Sequence, residues 1–340
     1  MRTDLQAPLA PLTSLGLGGP ADVLITAETE AEVVEAVLAD DAAVVLGGGS
    51  NLVVPDQGLR GTVVRIATRG VFEVRDGLEA AAGEDWDAFV AGCVGDGRSG
   101  VEALSGIPGL VGATPVQNVG AYGQEVSHTV VRVRALDRRA ATVVELDAAG
   151  CEFSYRWSRF KAEPWRWVVL AVVFDLAADP LSAPVRYAEL AGALGVELGE
   201  RAPLAAVRSA VLDLRRSKGM VLDPDDPDSR SAGSFFTNPV LDDSVLADLR
   251  DRFGKLPAWP DGPGRSKVSA AWLIERSGFA KGWGDGPVGL SSKHVLALVN
   301  RGGATTADLI RVARAVRDGV RETTGVELAP EPVLAGGLTL

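Results

Sequence analysis

The chain has 340 residues with 34 basic and 45 acidic side chains, a net charge of −11, and 40 glycines but only two histidines and two cysteines. At about 150 residues per domain this length implies two domains or three small ones. The acidic balance argues against general nucleic-acid or anionic-membrane binding, His128 and His294 alone argue against a histidine-built zinc site, and Cys93 and Cys151 cannot form a disulfide framework.

Residues 22–45 read as strand, helix, strand. Asp22–Thr26 is β-leaning, and Thr29 and Glu32 form a capping box. The helix it opens carries Val33, Val34, Val37 and Leu38 on one face, and Ala43–Leu46 follows as a second strand. Residues 60–175 look mostly β, with strands expected at Thr62–Ile66, Val71–Arg75, Val130–Leu136 and Trp167–Phe174 and one helix around Trp86–Cys93. Trp167–Phe174 is the longest strongly apolar run, far short of the ~20 residues a membrane helix needs. The opening MRTDLQAPLAPL has an acid and two prolines where a secretion signal needs an apolar core, so a cytoplasmic protein with reduced cysteines is expected. A short helix over Tyr187–Leu194 precedes one over 202–216, with Leu204, Val207, Val211 and Leu214 as its stripe. Leu222–Gly233 is polar and turn-rich. Thr305–Thr323 is the clearest helix, started by Thr305 with Asp308 and stopped by Gly325, and Val326–Leu334 reads as a closing strand.

Glycine, at 40 of 340, exceeds the usual ~7%, and its clusters lead to the motifs. In Val44–Val53 a strand runs into Gly47, Gly48 and Gly49, then Ser50 and Asn51. Successive backbone N–H groups there make an anion-binding nest, and glycine lets a pyrophosphate approach the backbone. The segment alone reads equally as a hairpin or linker turn. It is not a dinucleotide-binding helix start, because Leu-Val-Val-Pro follows. The segment Gly106–Gly123 (GIPGLVGATPVQNVGAYG) is built of small residues and two prolines, suited to lie flat against a large ligand face; paired with the first motif, it favours a bound nucleotide cofactor. Tyr155–Lys161 (YRWSRFK) interleaves cations and aromatics, fitting an anionic partner or an ordinary amphipathic turn. Ser231–Pro239 (SAGSFFTNP) holds a serine ahead of two phenylalanines, without the G-x-S-x-G context of a hydrolase. Glu331 stands between Pro330 and Pro332, held in extended backbone.

These five motifs in this order resemble the UDP-N-acetylenolpyruvoylglucosamine reductase (MurB) family, in the subgroup with an extra tyrosine loop. The matching segments also include KVSAAWLIE and GVELAPEPV, and together they run from Thr13 to Val333. The resemblance implies an α+β fold: a PCMH/VAO-type FAD-binding domain of two subdomains, residues 1–60 and 61–200, and a smaller α/β substrate domain over 201–335. It implies hydride transfer from NADPH, by way of FAD, to the vinyl C3 of the enolpyruvyl ether of UDP-N-acetylglucosamine. Protonation at C2 then gives UDP-N-acetylmuramate for peptidoglycan synthesis. By that match Arg156 clamps the substrate carboxylate, Ser234 protonates C2 and Glu331 polarises the carboxylate. Gly47, Gly48, Gly49, Ser50 and Asn51 contact the cofactor, as do Gly109, Thr114, Pro115, Asn118, Gly120 and Ala121. Tyr187, Lys218 and Asn238 touch the UDP diphosphate or sugar; no metal is implied. The family has valine after the glutamate, where Pro332 stands here. Both histidines lie outside the glycine-rich motifs, so noncovalent FAD is expected, in a monomer. The alternatives are another PCMH-type flavin oxidoreductase and a non-catalytic nucleotide-binding protein of the same fold.

Overall fold

A computed structural model describes residues 1–340. The chain divides into two compact units: Met1–Ala7, Ala21–Gly49 and Arg60–Ser217 form the first, and Pro8–Pro20, Ser50–Leu59 and Lys218–Leu340 form the second.

The first unit contains two sheets. One orders its strands Arg2–Pro8, Pro20–Ala27, Leu59–Ile66, Val44–Leu46, the last pair parallel. Helix α1 (Glu30–Leu38) follows the second of these strands, and both bonds of the Thr29–Glu32 capping box are present. Arg138 donates to the carbonyls of Asp40, Asp41 and Ala43 just beyond this helix, fixing the turn into Val44–Leu46. The second sheet is antiparallel, ordered Thr142–Asp147, Val130–Asp137, Trp167–Phe174, Gly77–Ala81, Val71–Val74. Trp167–Phe174 is its central strand and is buried from Val168 onward, which explains why its sequence is continuously apolar rather than alternating. Helix α2 (Trp86–Gly95) is capped by Asp85 and lays Trp86 and Phe89 on Phe174, with ring centroids 5.0 to 5.9 Å apart. The short α3 (Arg159–Ala162) follows, then α4 (Ala188–Leu194) and α5 (Leu204–Ser217). Val207 and Val211 of α5 pack with Leu190, Ala191 and Val185 in a satellite core. The expected stripe of α5 needs one correction. Leu214 is only partly buried, and Arg215 is the residue that α5 turns inward.

The second unit gathers its core from three parts of the chain. Leu15, Leu17 and Val53 pack with Phe235, Phe236, Leu273, Ile274, Leu309 and Val316. Its helices are α6 (Asp243–Phe253), α7 (Ala270–Arg276) and α8 (Thr306–Thr324). The Thr305–Asp308 capping box opens α8 and left-handed Gly325 closes it, as the sequence predicts. Asp56 adds a second anchor, its carboxylate accepting from the amides of Thr306 (2.7 Å) and Ala307 (2.9 Å), where a helix start favours negative charge. The closing strand is shorter than expected: within Val326–Leu334 only Val333–Leu334 pairs as a regular strand, parallel to Leu52–Val53. Glycines in 254–303, unexplained by sequence, partly serve Arg301. Its guanidinium donates to the carbonyls of Gly282, Gly284 and Leu290, and a Cβ at Gly289 would lie 2.4 Å from Arg301 Nη2.

Candidate active site

In the first unit the glycine turn and the small-residue loop touch. A Cβ at Gly48 would stand 2.7 Å from Gly109 Cα, so only bare backbone fits. The amides of Gly48 and Gly49 make no hydrogen bond within the protein and remain as donors for an anion. The loop facing them is fixed by its own backbone. Trp86 N donates to Gly109 O (3.0 Å), Val111 N to Glu84 O (2.9 Å), Gly112 N to Ala82 O (2.9 Å) and Asn118 N to Pro115 O (3.3 Å). Two side chains expected at the cofactor are bonded to this scaffold. Thr114 Oγ1 donates to Val111 O at 2.8 Å. Asn118, left-handed and 1% exposed, donates from Nδ2 to Glu125 and Ser154 O and accepts from Ser127 N. Thr114 and Asn118 thus brace this loop. Gly120–Ala121 pairs with Gln124–Glu125 in a small hairpin.

Arg156 projects from a tight turn closed by reciprocal Ser154–Trp157 backbone bonds of 3.1 Å each. It is left-handed, with φ +52°, and its guanidinium donates to Gly120 O at 2.9 Å. Ser158 Oγ, bonded to Val116 O at 2.5 Å, ties this turn to the loop. Beside it lies a cluster that sequence reasoning missed. Burial pulls the Arg215 guanidinium down to about 10, Tyr122 and Asp87 hold it up, and Arg156 adds to the fall. It stays charged at neutral pH. Burial likewise pushes Tyr122 up to about 12. Burial acts to raise the Asp87 carboxyl, but bonds from Arg208 and Gly106 N overcome it and hold it below the ordinary range. The overlooked signal is that positions 204, 208, 211 and 215 share one face of α5, so two arginines sit in the apolar stripe. Tyr187, 44% exposed, precedes α4, and its ring meets Tyr122 edge to face at 5.5 Å.

The second unit brings Ser234 and Glu331 together. Phe235 N donates to Leu296 O (2.7 Å), and Ser234 bridges Ala297. On the other side Thr237 N donates to Ala329 O (3.1 Å) and Glu331 N to Phe235 O (2.8 Å). Phe235 and Phe236, each 1% exposed, anchor this ladder in the core. Asn51 continues it, its Nδ2 donating to Glu331 O (3.4 Å) and its carbonyl accepting from Val333 N (2.9 Å). The ladder thus uses the N–H groups of 331 and 333, and Pro332 sits where none is needed. Ser14 Oγ donates to the carbonyls of Ser50 and Ser231, holding both motifs. Asn238 Oδ1 accepts from Ala270 N at 2.9 Å at the start of α7. Lys218 is half-buried at the head of the acidic segment. That segment is ordered: Asp228 accepts from Ser292 Oγ (2.5 Å) and Asp226 pairs with Lys293 (2.8 Å).

No group of three or more histidine, cysteine or acidic side chains is arranged to hold a metal ion, and no helix is long and apolar enough to cross a membrane. Burial pushes the thiols of Cys93 and Cys151 up to about 12, so neither is a thiolate at neutral pH.

Residues 21–147 match the family described as FAD binding domain, and residues 225–335 match the C-terminal domain of UDP-N-acetylenolpyruvoylglucosamine reductase. The UDP-N-acetylenolpyruvoylglucosamine reductase of Streptomyces coelicolor is 58% identical over 342 residues, covering 97% of this chain and 89% of its own. That of Thermobifida fusca is 56% identical over 345 residues, covering 97% of each. The chain belongs to the UDP-N-acetylenolpyruvoylglucosamine reductase family. The crystal structure of the Thermus caldophilus enzyme of this family superposes with a TM-score of 0.68 at 25% identity, covering 98% of both chains. As a reductase of this family with the FAD binding domain, the chain is an FAD-dependent oxidoreductase with the α+β fold expected from sequence. The bare Gly48–Gly109 approach and the unused amides of Gly48 and Gly49 fit a dinucleotide's pyrophosphate.

Proposed function

We propose that this reductase converts UDP-N-acetyl-3-O-(1-carboxyvinyl)-glucosamine to UDP-N-acetylmuramate with NADPH as hydride donor, in peptidoglycan precursor synthesis, and that Arg156, Ser234 and Glu331 carry the chemistry. FAD, when bound, supplies the two-electron relay between NADPH and the substrate. Gly47–Ser50 hold its pyrophosphate through backbone amides, and the Gly109–Ala121 loop offers backbone to its ring system. Attachment is noncovalent: both histidines lie outside the glycine-rich motifs, and both cysteines are buried.

The observation that carries the reading is the Glu331 N–Phe235 O bond, which sets Glu331 beside Ser234 on a rigid ladder. Ser234 donates its hydroxyl proton to C2 as negative charge develops there. An alcohol is a poor acid in water, but a carbanion-like enolate is a strong base and can take that proton in a dry site. Arg156 clamps the substrate carboxylate and offsets the developing charge. Glu331, protonated or sharing a hydrogen bond, polarises that carboxylate. Tyr187, Lys218 and Asn238 bind the UDP diphosphate or sugar; Asn238 keeps its amide NH2 for this, its oxygen being taken by Ala270 N. The FAD subdomains expected over 1–60 and 61–200 fall to the first compact unit and the substrate domain expected over 201–335 to the second, except that residues 8–20 and 50–59 join the second and 201–217 the first. The protein acts as a cytoplasmic monomer, in the subgroup with the extra tyrosine loop.

The test is optical. Yellow purified protein should bleach with NADPH and recolour under anaerobic conditions on adding the enolpyruvyl UDP-sugar, with UDP-N-acetylmuramate as product. Bleaching without recolouring would exclude this substrate.

A further inference from the structure

Glu102 is fully buried, at 0% exposure, and its carboxylate is met by three N–H donors rather than a cation. Oε2 accepts from Gly100 N at 2.6 Å. Oε1 accepts from both Gln124 Nε2 at 2.8 Å and Ala183 N at 2.9 Å. Gln124 is clamped at its other end, where Oε1 accepts from Ala103 N at 2.8 Å. The two partners of Oε1 belong to segments that each carry a tyrosine. Gln124 opens the return strand of the hairpin whose two-residue turn is left-handed Tyr122 (φ +49°) and Gly123 (φ +83°). Ala183 leads residues 183–187, which are tied to 199–200 through Val185 N–Glu200 O and Gly199 N–Val185 O, both 2.8 Å, and which end on Tyr187. The two tyrosine rings then meet edge to face. One carboxylate oxygen is thus the common anchor of both tyrosines.

A neutral amide cannot do the same work. Glutamine at 102 would offer one acceptor oxygen and turn an NH2 toward a third N–H donor, leaving buried donors unsatisfied. We propose that Glu102 is a positioning residue that holds the Tyr122 turn and the 183–187 segment in register, and so sets the pose of Tyr187 toward the UDP-sugar. This rests on the reading of Tyr187 as a substrate contact.

Glu102→Gln in the FAD-loaded full chain should raise KM for the enolpyruvyl UDP-sugar about tenfold, the scale of one lost hydrogen bond to a charged group. It should leave flavin retention unchanged and kcat within about twofold. Combined with Tyr187→Ala, it should add little to the effect of Tyr187→Ala alone, because both act through the same side chain. Fully multiplying effects, or a kcat loss as large as the KM rise, would overturn the proposal. If Tyr187→Ala itself leaves KM unchanged, the substrate reading of Tyr187 fails. The anchor then stands or falls on hydrogen exchange: faster exchange of the 183–187 amides in Glu102→Gln, with Trp167–Phe174 unaltered, upholds it, and unchanged exchange overturns it. Should Glu102→Gln fail to fold, Gln124→Met removes the hairpin arm alone. A smaller KM rise coupled to Tyr187 supports the anchor, and no rise refutes it.

Discussion

At the residue scale, the site depends on which atoms are already committed to the scaffold. Thr114 and Asn118, expected at the cofactor from sequence, have polar atoms that brace the loop. The glycines were legible because bare backbone is a property of the residue itself. Gly48→Ala would drive its Cβ into the Gly109 backbone. We expect FAD to bind at least about tenfold more weakly, the cost of a displaced cradle being at least that of one lost charge-assisted bond, as measured by recovery of free flavin fluorescence. Unchanged affinity would remove Gly48 from the cradle. Pro332 gives the converse case. Because the ladder uses the N–H groups of Glu331 and Val333, Pro332→Val should keep both bonds, and as a swap of similar volume at a buried position it should change stability by no more than about 1.5 kcal/mol. Activity should stay near the parent's; a large loss would mean that the proline sets the pose of Glu331.

At the element scale, the sequence located the helices with strong local signals and missed what tertiary burial decides. The capping boxes of α1 and α8 are local chemistry and appear as expected. The strand Arg2–Pro8 escaped notice because most of its residues are exposed, which leaves no alternating pattern. Glu102, Asp87 and Arg215 escaped because a charge reads as surface until its partners, distant in sequence, are known. Asp87 links α2 to α5 through Arg208 at 2.6 and 2.8 Å. Its carboxyl is lowered in the folded state. Stability from this group is therefore present above the unfolded carboxylate pKa of about 4 and is lost as pH falls through the lower folded value. Asp87→Asn should cost about 1–2 kcal/mol at pH 7, discounted because the carboxylate is partly exposed. The gap from the parent should close below about pH 4 in denaturant titrations. A gap that persists in acid would mean the loss is one of packing.

At the scale of the whole molecule, the scarcity of histidine and cysteine is compatible with the proposed roles of Ser234, Arg156 and Glu331, with FAD as the redox group. The family could be read from ordered motifs, but the division of the chain could not. Residues 8–20 and 50–59 belong with the C-terminal unit, since segments of either unit carry ordinary apolar patterns that do not announce their partners. FAD that binds only the folded chain must stabilise it, by about 2.7 kcal/mol at a hundredfold excess over its Kd. Adding FAD to apoprotein should accordingly raise Tm, and acid precipitation should leave the flavin in solution; yellow precipitate would show a covalent link. The most direct measurement is stopped-flow flavin absorbance of Ser234→Ala. Bleaching by NADPH should run at the parent's rate, while recolouring by the enolpyruvyl UDP-sugar should slow by about 10⁴-fold, roughly 5.5 kcal/mol of transition-state stabilisation. Equal slowing of both half-reactions, or recolouring at the parent's rate, would contradict Ser234 as the proton donor.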